Sequence, residues 1–466
     1  MVGTMVPMAV MFLRTPIYTR YFSPAEYGEY TLVYVVNSYI SVFAFQWIIN
    51  NIWRFYLKYK RSGQYLHFKQ SIFILFITTT ISSFIVILLW ILTISSIENQ
   101  MLIFSGFLFI LSESVFAIIT VPMRINGYSV KYNSIQSLKV VISFLLLLAL
   151  TFIATLRIEA FFIAPFLINL IIIVSLLLKV KFGELIHVKI RSVIPHLSRF
   201  LKYGYAMVIF NALSLFLVAG DRLLINWFEG TSHLGVYNQT YNIAQVTIVA
   251  LFGVFNAAIN PYVLPSLEKK DRNVNQRIVK LFNLTILVLL PLTVVLSIFS
   301  EEISIILLGP DFRDMWEYLP FVFFGSFMLG ASHLAIIKLK FLMKTKVLIK
   351  IAFWAFVINL SSNLVLIPLY GYKIATVTTL FSYLFQFVVL MRVAETGVLS
   401  FKNILNNLML LLISVLMILV FHKLFLFFNM FEFQYGFIVE IVVLLILSYV
   451  INARKIYLLW GDHQKH

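Results

Sequence analysis

Six ionisable side chains sit inside or at the ends of strongly apolar stretches: Arg14, Arg54, Glu113, Asp221, Arg222 and His333. A charge near the centre of a bilayer is costly, so such a residue usually faces a cavity or a partner. Arg keeps its charge and offers a planar fork of donors. A buried carboxylate without a partner has a raised pKa and holds a proton. Glu113, in Leu111-Ser112-Glu113-Ser114, is therefore a candidate for proton or cation binding. The alternative is a neutral acid hydrogen-bonded to neighbouring helices through its serines. Asp221 and Arg222 are adjacent and point about 100° apart on a helix. Each is expected to meet another helix and not its neighbour. His333, five residues before Lys338, is placed to titrate or to donate a hydrogen bond.

The elements that position these residues are membrane helices. Of 466 residues, 61% are hydrophobic and 12% charged, and the mean hydropathy is +0.96. Such a chain cannot cover itself with polar surface, so its outer solvent is lipid, where every backbone N–H and C=O needs an internal partner. The apolar runs are about 20 residues long and do not alternate, which selects helices over a β-barrel. No cysteine occurs, which excludes disulfides and Cys-based metal or redox sites. The net charge of +17 reads as basic loops, with no nucleic-acid partner implied. The first apolar stretch lacks a basic lead and reads as a helix, not a cleavable signal.

The expected fold class is all-α with fourteen transmembrane helices, about 1–19, 28–50, 70–97, 101–123, 134–156, 158–179, 201–228, 235–263, 279–300, 315–337, 348–368, 372–394, 403–428 and 432–452. With both termini in the cytoplasm, 29 of the 36 Lys and Arg fall in inside segments and 7 outside. Lys139 is counted among the inside loop cations. An internal repeat supports the count: Tyr27-Gly28-Glu29-Tyr30 after helix 1 corresponds to Leu234-Gly235-Val236-Tyr237 after helix 7. The expected division is an N-terminal lobe at 1–182, a cytoplasmic linker at 183–200, a C-terminal lobe at 201–396, and two extra helices with a tail at 397–466. Two six-helix lobes in parallel orientation, related by a pseudo-two-fold, are the plan of a transporter with a cavity between repeats.

Three stretches resemble the Wzx-type polysaccharide flippases of the multidrug/oligosaccharidyl-lipid/polysaccharide exporter superfamily. Arg20-Tyr21-Phe22-Ser23-Pro24-Ala25-Glu26-Tyr27-Gly28-Glu29-Tyr30 is similar to that family's turn after helix 1. Phe200-Leu201-Lys202-Tyr203-Gly204, Gly220-Asp221-Arg222 and Leu234-Gly235-Val236-Tyr237 resemble its helix 7 opening, "DR" pair and "LGxY" turn. Leu308-Gly309-Pro310-Asp311-Phe312 and Asn363 to Gly371 resemble its "GxxF" and "NxxLIPx(Y/F)G" turns, with Lys373 a departure where small residues are usual. The resemblance spans about residues 14–375. It implies a MATE-like fold in a bacterial cytoplasmic (inner) membrane and an undecaprenyl-diphosphate-linked oligosaccharide as cargo. It also implies membrane lipids around the chain, proton or sodium coupling, and contact with a polysaccharide polymerase and chain-length regulator.

That cargo gives the cations a use, because an Arg fork matches phosphate oxygens. Arg14, Arg54 and Arg222 become candidates for a substrate cavity; Glu113, Asp221 and His333 become candidates for coupling or gating. The competing readings remain open. Arg14 could snorkel along lipid, and Arg20 and Arg54 could anchor at the interfaces. The tyrosines from Tyr18 to Tyr39 could stack on sugars or mark the interface. No cofactor or metal is expected. No phosphate loop, His-Glu-x-x-His or Gly-x-Ser-x-Gly occurs, and the outer loops are too short to house an enzyme active site, which argues against a membrane glycosyltransferase. The other alternative is an ion-coupled multidrug exporter, which would be expected to keep cavity acids and few cavity cations.

Overall fold

Long apolar segments punctuated by turn residues fold into helices that satisfy their own backbone. The computed structural model describes residues 2–93, 99–178, 190–268, 274–398, 400, 412, 415–425 and 436–461. No strand occurs among them. In chain order the helices are α1 (Val2–Tyr18), α2 (Pro24–Ser41), α3 (Trp47–Arg61), α4 (Tyr65–Thr93), α5 (Gln100–Ile125), α6 (Ser129–Phe152), α7 (Ala160–Leu177), α8 (Ile190–Glu229), α9 (Thr231–Ala244), α10 (Ala250–Glu268), α11 (Val274–Ile298), α12 (Ser300–Leu307), α13 (Leu319–Ala331), α14 (His333–Phe341), α15 (Thr345–Tyr370), α16 (Ile374–Val393), α17 (Val415–Phe425) and α18 (Gly436–Gly461).

Ten spans are long and apolar enough to cross a membrane, so this is a multi-pass α-helical membrane protein. The other four expected helices are represented by α1, by α9 with α10, by α17 and by α18. The stretches 179–189 and 269–273, most of the thirteenth expected helix and the tail after Gly461 lie outside the described residues.

Several expected boundaries need correction. Helix 5 begins at Ser129, not at 134, because the chain turns at Gly127 (φ +86°) and the helix resumes at once through polar residues. Lys139 is therefore not a loop cation; it lies about 15 Å into α6 at 1.5 Å per residue and is buried. The seventh helix begins at Ile190, so the second half of the expected linker at 183–200 is helical. The second runs from Pro24 to Arg61 with a π turn at Val42–Gln46; a second π turn, Gln245–Val249, joins α9 to α10. Both π turns fall downstream of the paired motif glycines, 14 residues after Gly28 and 10 after Gly235.

The contacts divide the chain into two units. Unit 1 is Met1–Arg14 with Pro24–Gly235, and unit 2 is Thr15–Ser23 with Val236–His466. Unit 1 has an aromatic core near the Arg61 end of α3, where Phe55, Tyr59, Phe68 and Phe200 pack together. Within it, α2 crosses the first turn of α9 at Gly28 and Gly235, with no room for a side chain on either. Unit 2 is built on α11, whose Leu281, Leu284, Leu287 and Leu290 are buried, together with Val322 and Phe323 of α13.

Candidate functional site

Arg14, in the last turns of α1, turns into unit 1. Its guanidinium carbon lies 4.3 Å from the centroid of Phe161, and Nη2 lies 3.5 Å from the Tyr30 hydroxyl. Tyr30 packs on Phe161 and Phe162, so the two rings that meet the cation belong to one aromatic cluster of α2 and α7. A cation–π contact by a half-buried guanidinium contributes about 1 kcal/mol. Tyr34, one turn beyond Tyr30, is 45% exposed and lies within electrostatic reach of Arg14, Glu113 and Arg222. The fold thus gathers those three charges around one exposed tyrosine ring.

Glu113 is at the middle of α5 and is not an isolated acid. Lys139 Nζ donates to its two oxygens at 2.8 and 3.0 Å, and Asn169 Nδ2 donates to Oε1 at 2.9 Å. Asn169 also donates to Ser112 Oγ at 3.0 Å. The Lys139 side chain is 5% exposed and that of Glu113 is 33% exposed. The ammonium is the buried partner and also lies 4.3 Å from the Phe116 ring centroid. This corrects the expectation of a partnerless carboxylate: α5, α6 and α7 bring Glu113, Lys139 and Asn169 together in one hydrogen-bonded set. Lys139 was hidden from sequence reasoning because the apolar run of α6 begins after it. The Gly127 turn and polar Ser129 were the signals that could have placed it inside the helix.

Asp221 and Arg222 also depart from expectation, because they pair with each other. Arg222 Nη1 lies 3.2 Å from Asp221 Oδ1. The Asp carboxylate folds back to accept its neighbour's backbone N–H at 2.8 Å, and the guanidinium curls toward Val218, donating to its carbonyl at 2.8 Å. The flexible Arg stem closes the angle that helix geometry opens. Both residues are buried, and both charges act on Tyr39 of α2.

Arg54 belongs to a different place. It is exposed, with its guanidinium carbon 4.3 Å from the Tyr203 ring and 5.7 Å from that of Phe55. Tyr30 and Arg54 are separated by roughly 36 Å of helix at 1.5 Å per residue. Near Arg54, Arg124 is stacked between Trp53 and Tyr132 at 5.0 and 4.8 Å, and Lys60 donates to Asn126. His333, in unit 2, opens α14 half-buried, and its Nε2 has no hydrogen-bond partner among the described residues. Lys338 nearby is buried and donates to Asn275 Oδ1 at 2.7 Å and to the Glu395 carbonyl at 3.1 Å.

The remaining motif residues hold turns together. Arg20 donates to the carbonyls of Ile305 and Ile306 at 3.1 and 2.9 Å, and Arg313 to those of Ile305 and Leu308 at 3.0 and 3.1 Å. Together they satisfy the orphan carbonyls at the end of α12 and complement its dipole. The Gly309 N–H donates to Thr19 Oγ1 at 2.9 Å. Lys373 pairs with Asp314 at 2.9 Å, and Tyr372 donates to the same carboxylate at 3.0 Å. In unit 1 the exposed Arg157 forms a fork on Glu26, which pushes its pKa up and keeps it charged.

Comparison with known proteins bears on the fold and the family. The fold is similar to that of a lipid II flippase, MurJ, in an inward closed conformation, with 17% identity, 98% of each chain covered and a TM-score of 0.72. A weaker likeness, TM-score 0.48 at 15% identity, is to a Vibrio cholerae MATE transporter, over 85% of this chain and 98% of that one. In sequence, 191 residues are 24% identical to an uncharacterized membrane protein of Methanocaldococcus jannaschii; the match covers 40% of this chain and 37% of that relative's length. The family described as polysaccharide biosynthesis protein matches residues 17–317, well over half of the chain. The chain therefore belongs to the polysaccharide biosynthesis protein family.

Proposed function

We propose that this protein is a flippase carrying polyprenyl-diphosphate-linked oligosaccharide repeat units from the inner to the outer leaflet of the cytoplasmic membrane, for assembly of an O-antigen, capsule or exopolysaccharide. The observation that carries the reading is Arg14, a half-buried cation held against the rings of Phe161 and Tyr30 in an apolar helical unit. A diphosphate leaving water needs such a partner, and neighbouring rings offer faces for sugar to stack on. The polyprenyl chain can stay in lipid, so the protein shelters only the headgroup. Arg54 is on the last turns of the Pro24–Arg61 helix and Arg14 of α1 meets Tyr30 near its other end; they act as successive stations, Arg54 where cargo enters from the cytoplasmic leaflet and Arg14 farther along the path. Arg222 is a weaker third. The lobes at 1–182 and 201–396 alternate access, and the last two helices offer a groove for the lipid tail.

Multidrug export is the less supported reading. An exporter of cationic drugs needs acids available to its cargo. Here Glu113 and Asp221, at the middle of α5 and within α8, are each paired with a cation, Lys139 and Arg222. Deleting the gene tests the proposal. Lipid-linked repeat units should accumulate on the inner leaflet and disappear from it on complementation. Normal leaflet distribution with intact polysaccharide export would refute it.

A further inference from the structure

Arg124 is an exposed cation seated on aromatic rings, with its donors given to no described residue. Its guanidinium carbon lies 5.0 Å from the Trp53 ring centroid and 4.8 Å from that of Tyr132. No hydrogen bond or ion pair joins its side chain to any described residue. A guanidinium carries five N–H donors in a fixed fork. The turn that follows Arg124 is tied to α3: Lys60 Nζ donates to Asn126 Oδ1 at 3.1 Å, and Asn126 Nδ2 donates to the Tyr56 hydroxyl at 2.9 Å. No Asp or Glu occurs in residues 50–70 or 121–140, the segments that build this corner, so no carboxylate of theirs competes for the fork.

The corner lies where two spans end. Arg124 is the second-last residue of Gln100–Ile125, and Tyr132 is in the first turn of Ser129–Phe152. Around it Trp53, Leu57, Tyr128 and Val130 are exposed. Exposed Trp and Tyr at the end of a span mark the headgroup level of a bilayer. The anion abundant at that level is a lipid phosphate, whose oxygens an Arg fork matches in pairs. We propose that Arg124, seated on Trp53 and Tyr132, binds the phosphate of an anionic phospholipid in the leaflet beside this end of unit 1. A zwitterionic head group brings its own ammonium, which competes for the same phosphate, so an anionic one is favoured. A free phosphate has no acyl chains to lie on the exposed Leu57 and Val130. Trp53 meets a cation of α5 while the adjacent Arg54 meets a ring of α8, so these neighbours lean toward different helices. The lipid site on Arg124 is therefore separate from the cargo station on Arg54, and the inference does not rest on the flippase reading.

The test uses the purified full-length chain in detergent, titrated with phosphatidylglycerol, phosphatidylcholine or inorganic phosphate at constant ionic strength. It is read by thermal unfolding and by native mass spectrometry of retained lipid. Wild type should show a saturable rise in melting temperature with phosphatidylglycerol, a much smaller one with phosphatidylcholine and none with inorganic phosphate. Arg124→Gln should bind phosphatidylglycerol about tenfold more weakly, as expected for loss of one charge-assisted hydrogen-bonded contact. Trp53→Leu keeps every charge but removes the seat of the fork, and should weaken binding as well. Lys346→Gln removes an exposed cation from the first turn of α15 and should leave binding unchanged. Wild-type phosphatidylglycerol binding by Arg124→Gln or by Trp53→Leu would overturn the proposal. An equal loss in Lys346→Gln would overturn it by revealing a diffuse basic field. Equal responses to the two lipids, or the same response to inorganic phosphate, would also contradict it. Should Arg124→Gln fail to fold, the Trp53→Leu and Lys346→Gln outcomes decide. Flipping of labelled cargo is measured separately, so loss of this inference leaves the flippase reading standing.

Discussion

Gly28 and Gly235 form one reciprocal contact: a Cβ on Gly28 would stand 1.7 Å from the Thr231 carbonyl oxygen, and a Cβ on Gly235 would stand 1.9 Å from that of Pro24. Each glycine meets the residue four places before the other. The obstructing atoms are backbone, so neither helix can yield locally. Gly28→Ala and Gly235→Ala should each force the crossing apart, costing about 3 kcal/mol or more as overpacking does. Thermal unfolding in detergent checks this, and the two variants should fall by similar amounts. An unchanged melting temperature for either would contradict the tight crossing.

Arg20 tests whether a motif residue is structural. Losing its hydrogen bonds to the end of α12 should cost about 1 kcal/mol, because the side chain is exposed and water can replace it. Arg20→Ala should melt somewhat lower yet flip cargo normally once corrected for abundance. A stable variant that cannot transport would move Arg20 into the cargo path.

The Lys373–Asp314 pair should matter less. Its members are 29% and 63% exposed, a range in which ion pairs contribute well under about 1 kcal/mol. Lys373→Gly, which restores the small residue usual in the resembling family, should leave melting within a degree or so of wild type. A large loss would show that the two turns depend on that bond.

The basic asymmetry leads to an expected orientation with both termini in the cytoplasm. Reporter fusions after Lys60 and Lys344 should read cytoplasmic, and those after Asn99 and Asp311 external. The reverse pattern would invert the order in which Arg54 and Arg14 meet the cargo.

Much of this architecture was legible in the sequence, because apolar run length and turn residues speak directly to helix number. The paired Tyr-Gly and Leu-Gly turns also announced a repeat whose glycines prove to touch. Pairing was harder to read. Lys139 looked like a loop cation because hydropathy marks where apolar character begins, not where a helix begins. The Asp221–Arg222 pair was missed because helix geometry gives the direction of Cβ and not the reach of a long side chain. Glu113 was identified as an unusual acid, but its partner lay 26 residues away on a helix whose start was misjudged. Arg14 and Arg54 were both candidates for one cavity, although the expected helix at 28–50 already lay between them; the structure puts Arg14 beside Tyr30 and Arg54 beside Tyr203.

The most direct test of the central claim is flipping by proteoliposomes holding a polyprenyl-diphosphate-linked oligosaccharide with a labelled sugar, scored by its accessibility from outside. Wild type should translocate cargo well above protein-free liposomes. Arg14→Lys should retain part of that rate, and Arg14→Ala should lose most of it at normal protein content, with Arg54→Ala also impaired. Translocation by Arg14→Ala and Arg54→Ala at the wild-type rate, or none by wild type, would contradict the account.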